Sequence, residues 1–134
     1  MPPAPPGTWE CHLHLTNNPR APRIARHTIR MALLDYGCLP EIAATAELLT
    51  SELVSNAVKH SDGPVAVRLR TRTGMLRIGV MDNDPELPNP LPCTTDEAFG
   101  RGLFLVQALA ADWGRYPVTD RKVVWFELST PRDG

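Results

Sequence analysis

Residues 41–60, EIAATAELLTSELVSNAVKH, decide how the rest of the chain is read. At 100° per residue, Ile42, Ala46, Leu49, Leu53 and Ala57 gather on one side of a helix. Pro40 stands just before the run and Ser61-Asp62-Gly63-Pro64 ends it, so the spacing predicts a helix over 41–60. Glu52 and Asn56 are i and i+4 and therefore stand together, on the edge of the apolar stripe. His60 falls within it. A carboxylate and an amide turned toward a core are costly unless something polar meets them. They either cap neighbouring backbone or pair with each other, or they floor a polar cavity.

Outward from this helix the pattern alternates. Residues 65–72 (VAVRLRTR) and 75–82 (MLRIGVMD) read as strands, and Thr73-Gly74 is short enough to join them as an antiparallel hairpin. Upstream, WECHLHL at 9–15 alternates as a half-buried strand. Residues 20–36 then carry Ala25, Ile29, Ala32 and Leu33 at helical spacing, with Gly37 as a stop. Arg23, Arg26 and Arg30 form a basic stripe on that helix, either a solvated face or a docking surface. Downstream, Pro85, Pro88, Pro90 and Pro92 impose an irregular loop. A helix at about 102–111 and strands near 113–118 and 122–129 follow. The expected fold is α+β, a two-layer sandwich with helices on one face of a mixed, mostly antiparallel sheet.

The 134 residues amount to one domain, expected over 9–134 behind a proline-rich tail at 1–8. Such a chain buries roughly two-thirds of its unfolded surface, enough for a core. Fourteen Lys plus Arg against fifteen Asp plus Glu leave a charge of -1, which argues against direct nucleic-acid binding. The start lacks a basic segment followed by an apolar one, and nowhere do eighteen apolar residues run together, so a soluble, cytoplasmic protein is expected. Cys11, Cys38 and Cys93 are odd in number and far apart, which suits reduced thiols packed as small core residues. His12 and His14 share a strand face but have no third and fourth ligand nearby, so they make weak metal ligands.

Two further features carry chemistry. Phe99-Gly100-Arg101-Gly102-Leu103 leads into the apolar run FLVQALA, and glycines before a helix let backbone N–H groups surround an anion at the positive end of the helix dipole. Glycine also serves simply as a helix start. Asp82 ends the strand 75–82, where a carboxylate accepts a hydrogen bond from an amine, and Asp82-Asn83-Asp84-Pro85 is equally ordinary turn chemistry. No GxxxxGK[ST] is present, so this is not a P-loop protein.

Taken together, ExxxN on a helix, a strand-end Asp 26 residues beyond the Asn, a lid and a GxG form a known order. The sequence resembles the GHKL (Bergerat-fold) ATP-binding family over about residues 9–129, and especially the small anti-sigma factor kinases of bacteria. Glu52-Leu-Val-Ser-Asn56-Ala-Val-Lys-His60-Ser61 is similar to their N box, Asp82-Asn-Asp-Pro-Glu-Leu-Pro88 to a shortened G1 box, and Gly100-Arg-Gly-Leu-Phe-Leu-Val106 to the G2 box. Lys122-Val-Val-Trp-Phe-Glu-Leu128 resembles the last strand.

The resemblance implies a serine/threonine kinase that uses ATP and Mg²⁺. Asn56 would offer its side-chain oxygen to Mg²⁺, a hard cation that prefers oxygen. Glu52 would orient or deprotonate the attacking hydroxyl. Asp82 would read the adenine amine, while Gly100 and Gly102 would bring backbone amides to the phosphates and residues 86–99 would form a lid. His60, Asp84, Pro88, Arg101, Leu103 and Lys122 complete the expected nucleotide contacts. The implied partners are a sigma factor and a STAS-type antagonist that accepts the phosphoryl group, with a homodimer expected by resemblance. Asp84 and Glu86 stand where the wider family's DxGxG has glycines, and two extra carboxylates near a polyanion disfavour it. The alternative is a module that keeps the fold and binds its partner without kinase activity.

Overall fold

The computed structural model describes residues 8–84 and 98–130, the side chains of the second stretch from residue 102 onward. The proline-rich start through residue 7, Cys93, Glu86, Pro88 and the expected lid up to residue 97 lie outside the described residues.

Eight elements follow one another: β1 (Trp9–Leu15), α1 (Ala21–Asp35), α2 (Pro40–His60), β2 (Val65–Arg72), β3 (Met75–Asp82), α3 (Ala98–Leu109), β4 (Asp112–Val118) and β5 (Arg121–Ser129). The helix boundaries have local causes. At the end of α1, the Cys38 N–H donates to the Leu33 carbonyl at 2.9 Å and the Gly37 N–H to Leu34 at 3.0 Å, with Gly37 at φ +82°. This paired closure needs a residue in the left-handed region, which glycine enters at little cost. α2 starts on Pro40 itself, whose missing N–H is no loss in a first turn. It stops where Ser61 Oγ donates to the Ala57 carbonyl at 2.6 Å.

The five strands form one sheet in the order β1-β2-β3-β5-β4. All four pairings are antiparallel, so the expected mostly antiparallel sheet has no parallel component among the described residues. Strand alternation assigns the faces. Val65, Val67 and Leu69 of β2, Leu76, Ile78 and Val80 of β3, and Val124, Phe126 and Leu128 of β5 are all buried under the helices. The register sets Leu69 beside Ile78 and Ile78 beside Phe126. Onto this surface pack Ala25, Ile29 and Leu33 of α1, Ala46, Leu49, Leu53 and Ala57 of α2, and Leu103 and Val106 of α3. Each large residue of this set is worth about 1.5–3 kcal/mol of burial.

The other sheet face carries polar and amphipathic groups. Arg77 donates to Glu127 at 2.7 Å and lies 4.1 Å over the Trp125 ring. His12 and His14 stand on this face exposed, and the described residues contain no group of three or more His, Cys, Asp or Glu able to hold a metal ion. Of the basic stripe on α1, Arg26 and Arg30 lie 3.5 and 3.9 Å from Glu47 of α2, so two of its three members face the neighbouring helix.

Candidate functional site

The apolar rows of β3 and β5 end in charge. Along β3 the helix-facing positions run Leu76, Ile78, Val80 and then Asp82; along β5 they run back from Val124 to Lys122. Asp82 and Lys122 are register partners, so antiparallel pairing sets a carboxylate beside an ammonium at one edge of the core. Both are buried, at 4% and 3% exposure. Two charges do not remain in such a place without polar company.

That company is local. Asp82 Oδ1 accepts the Asp84 N–H at 2.8 Å, an Asx-type turn that bends the chain away from the sheet. Lys122 Nζ donates to Asp84 Oδ2 at 3.4 Å and lies 3.8 Å from Asp82 Oδ2. Burial pushes the Asp82 carboxyl above the usual carboxylate range, and the charge of Asp84 adds to this. The Asp84 N–H, Lys122 and His60 pull the other way. The residue between the two acids anchors the turn: Asn83 accepts the Gly63 N–H at 3.2 Å and donates to Asp62 at 3.2 Å, tying the exit of β3 to the loop after α2.

α2 supplies the opposite wall. Asn56 is 6% exposed, and Glu52 one turn before it is half-buried. Gly102 of α3 faces both: a Cβ there would come within 2.8 Å of Asn56 Nδ2 and 3.4 Å of Glu52 Cβ. The missing side chain lets α3 approach α2 where the amide and carboxylate stand. Leu53, Asn56, Val80, Asp82, Leu103, Lys122 and Val124 together line a cavity of about 10 Å³, room for about one water.

The structure thus brings together Glu52, Asn56, Asp82, Asp84, Gly102, Leu103 and Lys122. Two expectations are corrected. α3 begins at Ala98, four residues before the expected start, so Gly100 and Gly102 lie inside the helix rather than ahead of it. Counting the N-cap, only the first four amides of a helix lack an intrahelical acceptor, a group that takes in Gly100 and leaves Gly102 in the ladder as a packing residue. His60 was expected in the apolar stripe but is exposed, as the last residue of α2. Pro88 lies outside the described residues. Helical periodicity also passed over Asn83 and Asn17, which brace the end of α2. Asn17 donates to the Ser61 carbonyl at 2.9 Å from a loop 44 residues away. Their one visible signal was a turn-forming residue type beside a strand or helix end.

The donor set suits a nucleotide. Buried carboxylate accepts an amine, Leu53, Val80, Leu103 and Val124 offer apolar walls to a base, and the Asn56 amide offers a neutral oxygen to a hard cation. Compared with known proteins, residues 15–127 match the family model described as the histidine kinase-like ATPase domain. An uncharacterised protein of Streptomyces coelicolor is 39% identical over 80 residues, a stretch covering 55% of this chain and 75% of that protein. The solved structure of the RsbU and RsbW domains of Rv1364c from Mycobacterium tuberculosis matches with a TM-score of 0.68 at 20% identity, covering 94% of this chain. The match takes in 34% of that solved chain, and the likeness is one of fold.

Proposed function

Because the chain belongs to the histidine kinase-like ATPase domain family, we propose that it binds MgATP and phosphorylates a serine or threonine of a STAS-type antagonist, within a cytoplasmic partner switch that also holds a sigma factor. The observation that carries this reading is the meeting of three separate elements: Asn56 of α2 and Asp82 of β3 line one cavity, and Gly102 of α3 lies against Asn56 and Glu52. The substrate class and partners come from the resemblance of the N, G1 and G2 boxes to the small anti-sigma factor kinases. Among the described residues no helix is long and apolar enough to cross a membrane.

When bound, ATP would supply the transferable phosphoryl group. The work of the chain is positioning and electrostatics. Asn56 holds the cation through its side-chain oxygen. Asp82 accepts from the base amine, and Leu103 packs beside the base. Glu52, half-buried one turn from Asn56, orients the acceptor hydroxyl and takes its proton. His60, Asp84, Gly100, Arg101 and Lys122 would complete the nucleotide contacts, with Pro88 expected among them by resemblance. Calorimetric titration with ATP, with and without Mg²⁺, tests the site. Micromolar binding that needs Mg²⁺ is expected, weakened by Asn56→Ala. Glu52→Ala should bind ATP and lose phosphotransfer. No heat at millimolar ATP, together with an unshifted melting temperature, would overturn the reading. It would favour a nucleotide-independent binding module, to which the carboxylate of Asp84 and the one-water cavity lend support.

A further inference from the structure

Lys122 stands beside the Asp82 carboxylate that a base amine needs. Asp82 Oδ1 accepts the Asp84 N–H at 2.8 Å, so Oδ2 is the less committed oxygen for a base. That oxygen faces Lys122 Nζ at 3.8 Å, and Nζ is held on its other side by Asp84 Oδ2 at 3.4 Å. An ammonium carries three donors and no acceptor; the exocyclic amine of adenine likewise approaches a carboxylate as a donor. The two therefore compete for the same carboxylate.

A base with an oxygen in place of that amine meets the opposite situation. Guanine O6 is an acceptor and would repel a bare carboxylate, but it can accept from the Lys122 ammonium where the ammonium already stands. The guanine N1–H and 2-amino group would then be donors on the side of the Asp82 and Asp84 carboxylates. One donor cation between two acceptor carboxylates matches one acceptor oxygen beside two donor nitrogens.

Resting on the nucleotide reading above, we propose that Lys122 sets base selectivity at this site, weakening 6-amino purines by competing for Asp82 and admitting 6-oxo purines by donating to their oxygen. The site then takes guanine nucleotides alongside ATP. Lys122 reaches this position because β5 pairs with β3 in the register that sets residue 122 beside residue 82.

The test measures the affinities of MgATP and MgGTP for the full chain, Lys122→Met, and Lys122→Met combined with Asp84→Asn. The double variant removes one cation and one anion, so the local net charge is kept if the single variant folds poorly. The unmodified chain should bind the two nucleotides within about tenfold of each other. Removing the ammonium should tighten ATP and weaken GTP by about tenfold each, the scale of one hydrogen bond to a charged group. The free variant should also melt lower, because the buried carboxylate of Asp82 and the half-buried one of Asp84 lose their cation. This opposite movement of stability and ATP affinity is something a merely structural lysine would not produce. If the chain binds ATP and rejects GTP by about a hundredfold or more, with that ratio unmoved in both variants, the proposal fails while the ATP site stands. If both affinities fall together, Lys122 is an ordinary contact and the proposal fails likewise. If folded protein binds neither nucleotide, the nucleotide reading falls and takes this proposal with it.

Discussion

At Gly102 the consequence of a single hydrogen replaced by a methyl group can be stated in advance. Alanine there improves helix propensity by about 1 kcal/mol. Its Cβ would also come within 2.8 Å of Asn56 Nδ2, in a place where Asn56 is 94% buried and has little room to turn. Gly102→Ala should therefore leave global stability within about 1 kcal/mol of the parent chain while weakening Mg²⁺-dependent nucleotide binding. Thermal melting and calorimetry on the same sample separate the two effects. Asp82 makes a second prediction, with a sign fixed by its environment. Burial raises its pKa in the folded state, so ionised Asp82 costs stability. The cost is fully present above the folded-state pKa and disappears as the pH falls below the unfolded value. Asp82→Asn should melt higher than the parent near neutral pH, with the gap closing on acidification, and should bind ATP about tenfold more weakly. A variant that melts lower than the parent near neutral pH and recovers in acid would show that the Lys122 pairing outweighs burial. Glu52, Asn56 and Asp82 were legible in the sequence, because helical spacing and a strand end are properties of neighbouring residues. The packing of Lys122 on Asp84 was not. It depends on lateral register between strands 40 residues apart, which no local pattern encodes.

Among the elements, the hairpin of β2 and β3 was the most legible. Both strands fall where the alternation of VAVRLRTR and MLRIGVMD places them, and Gly74 at φ +79° supplies the turn. α1 and α2 were legible to within one residue at each end, since a proline near the start and a glycine or serine at the stop mark each. The start of α3 was not, because glycine reads as a helix breaker unless the close approach of a partner helix is known. Nor was the sheet order, in which β5 inserts between β3 and β4. Gly114 records that insertion. Its missing side chain is covered by the Trp125 ring of β5, whose atoms would lie 2.7–2.8 Å from an added Cβ. Gly114→Ala should displace that ring from its place against Arg77 and cost about 1–3 kcal/mol, measured by urea unfolding. The ring lies on the sheet face away from the site, so nucleotide affinity should not change. A loss of affinity would mean that β4 and β5 transmit strain across the sheet.

Over the whole molecule, the site draws on residues near 52–56, 82, 102–103 and 122, so a ligand there joins segments spread across half the chain. Binding at such a place resists global unfolding, because no unfolded chain holds these groups together. The stabilisation follows mass action: nucleotide at a hundred times its dissociation constant adds about 2.7 kcal/mol. For a domain of this size, that corresponds to a rise of about 10 °C in melting temperature. Asn56 makes the cation part of the same account. If its oxygen holds the Mg²⁺ that accompanies the phosphates, a chelator should remove most of the ATP-induced shift and leave the melting temperature of the free chain unchanged. Asn56→Ala should show the small shift with or without chelator. Equal shifts for the parent chain with and without chelator would remove Asn56 from cation binding. The amide would then be a wall of the pocket, placed by the same helix turn that places Glu52 and held there by the close approach of Gly102.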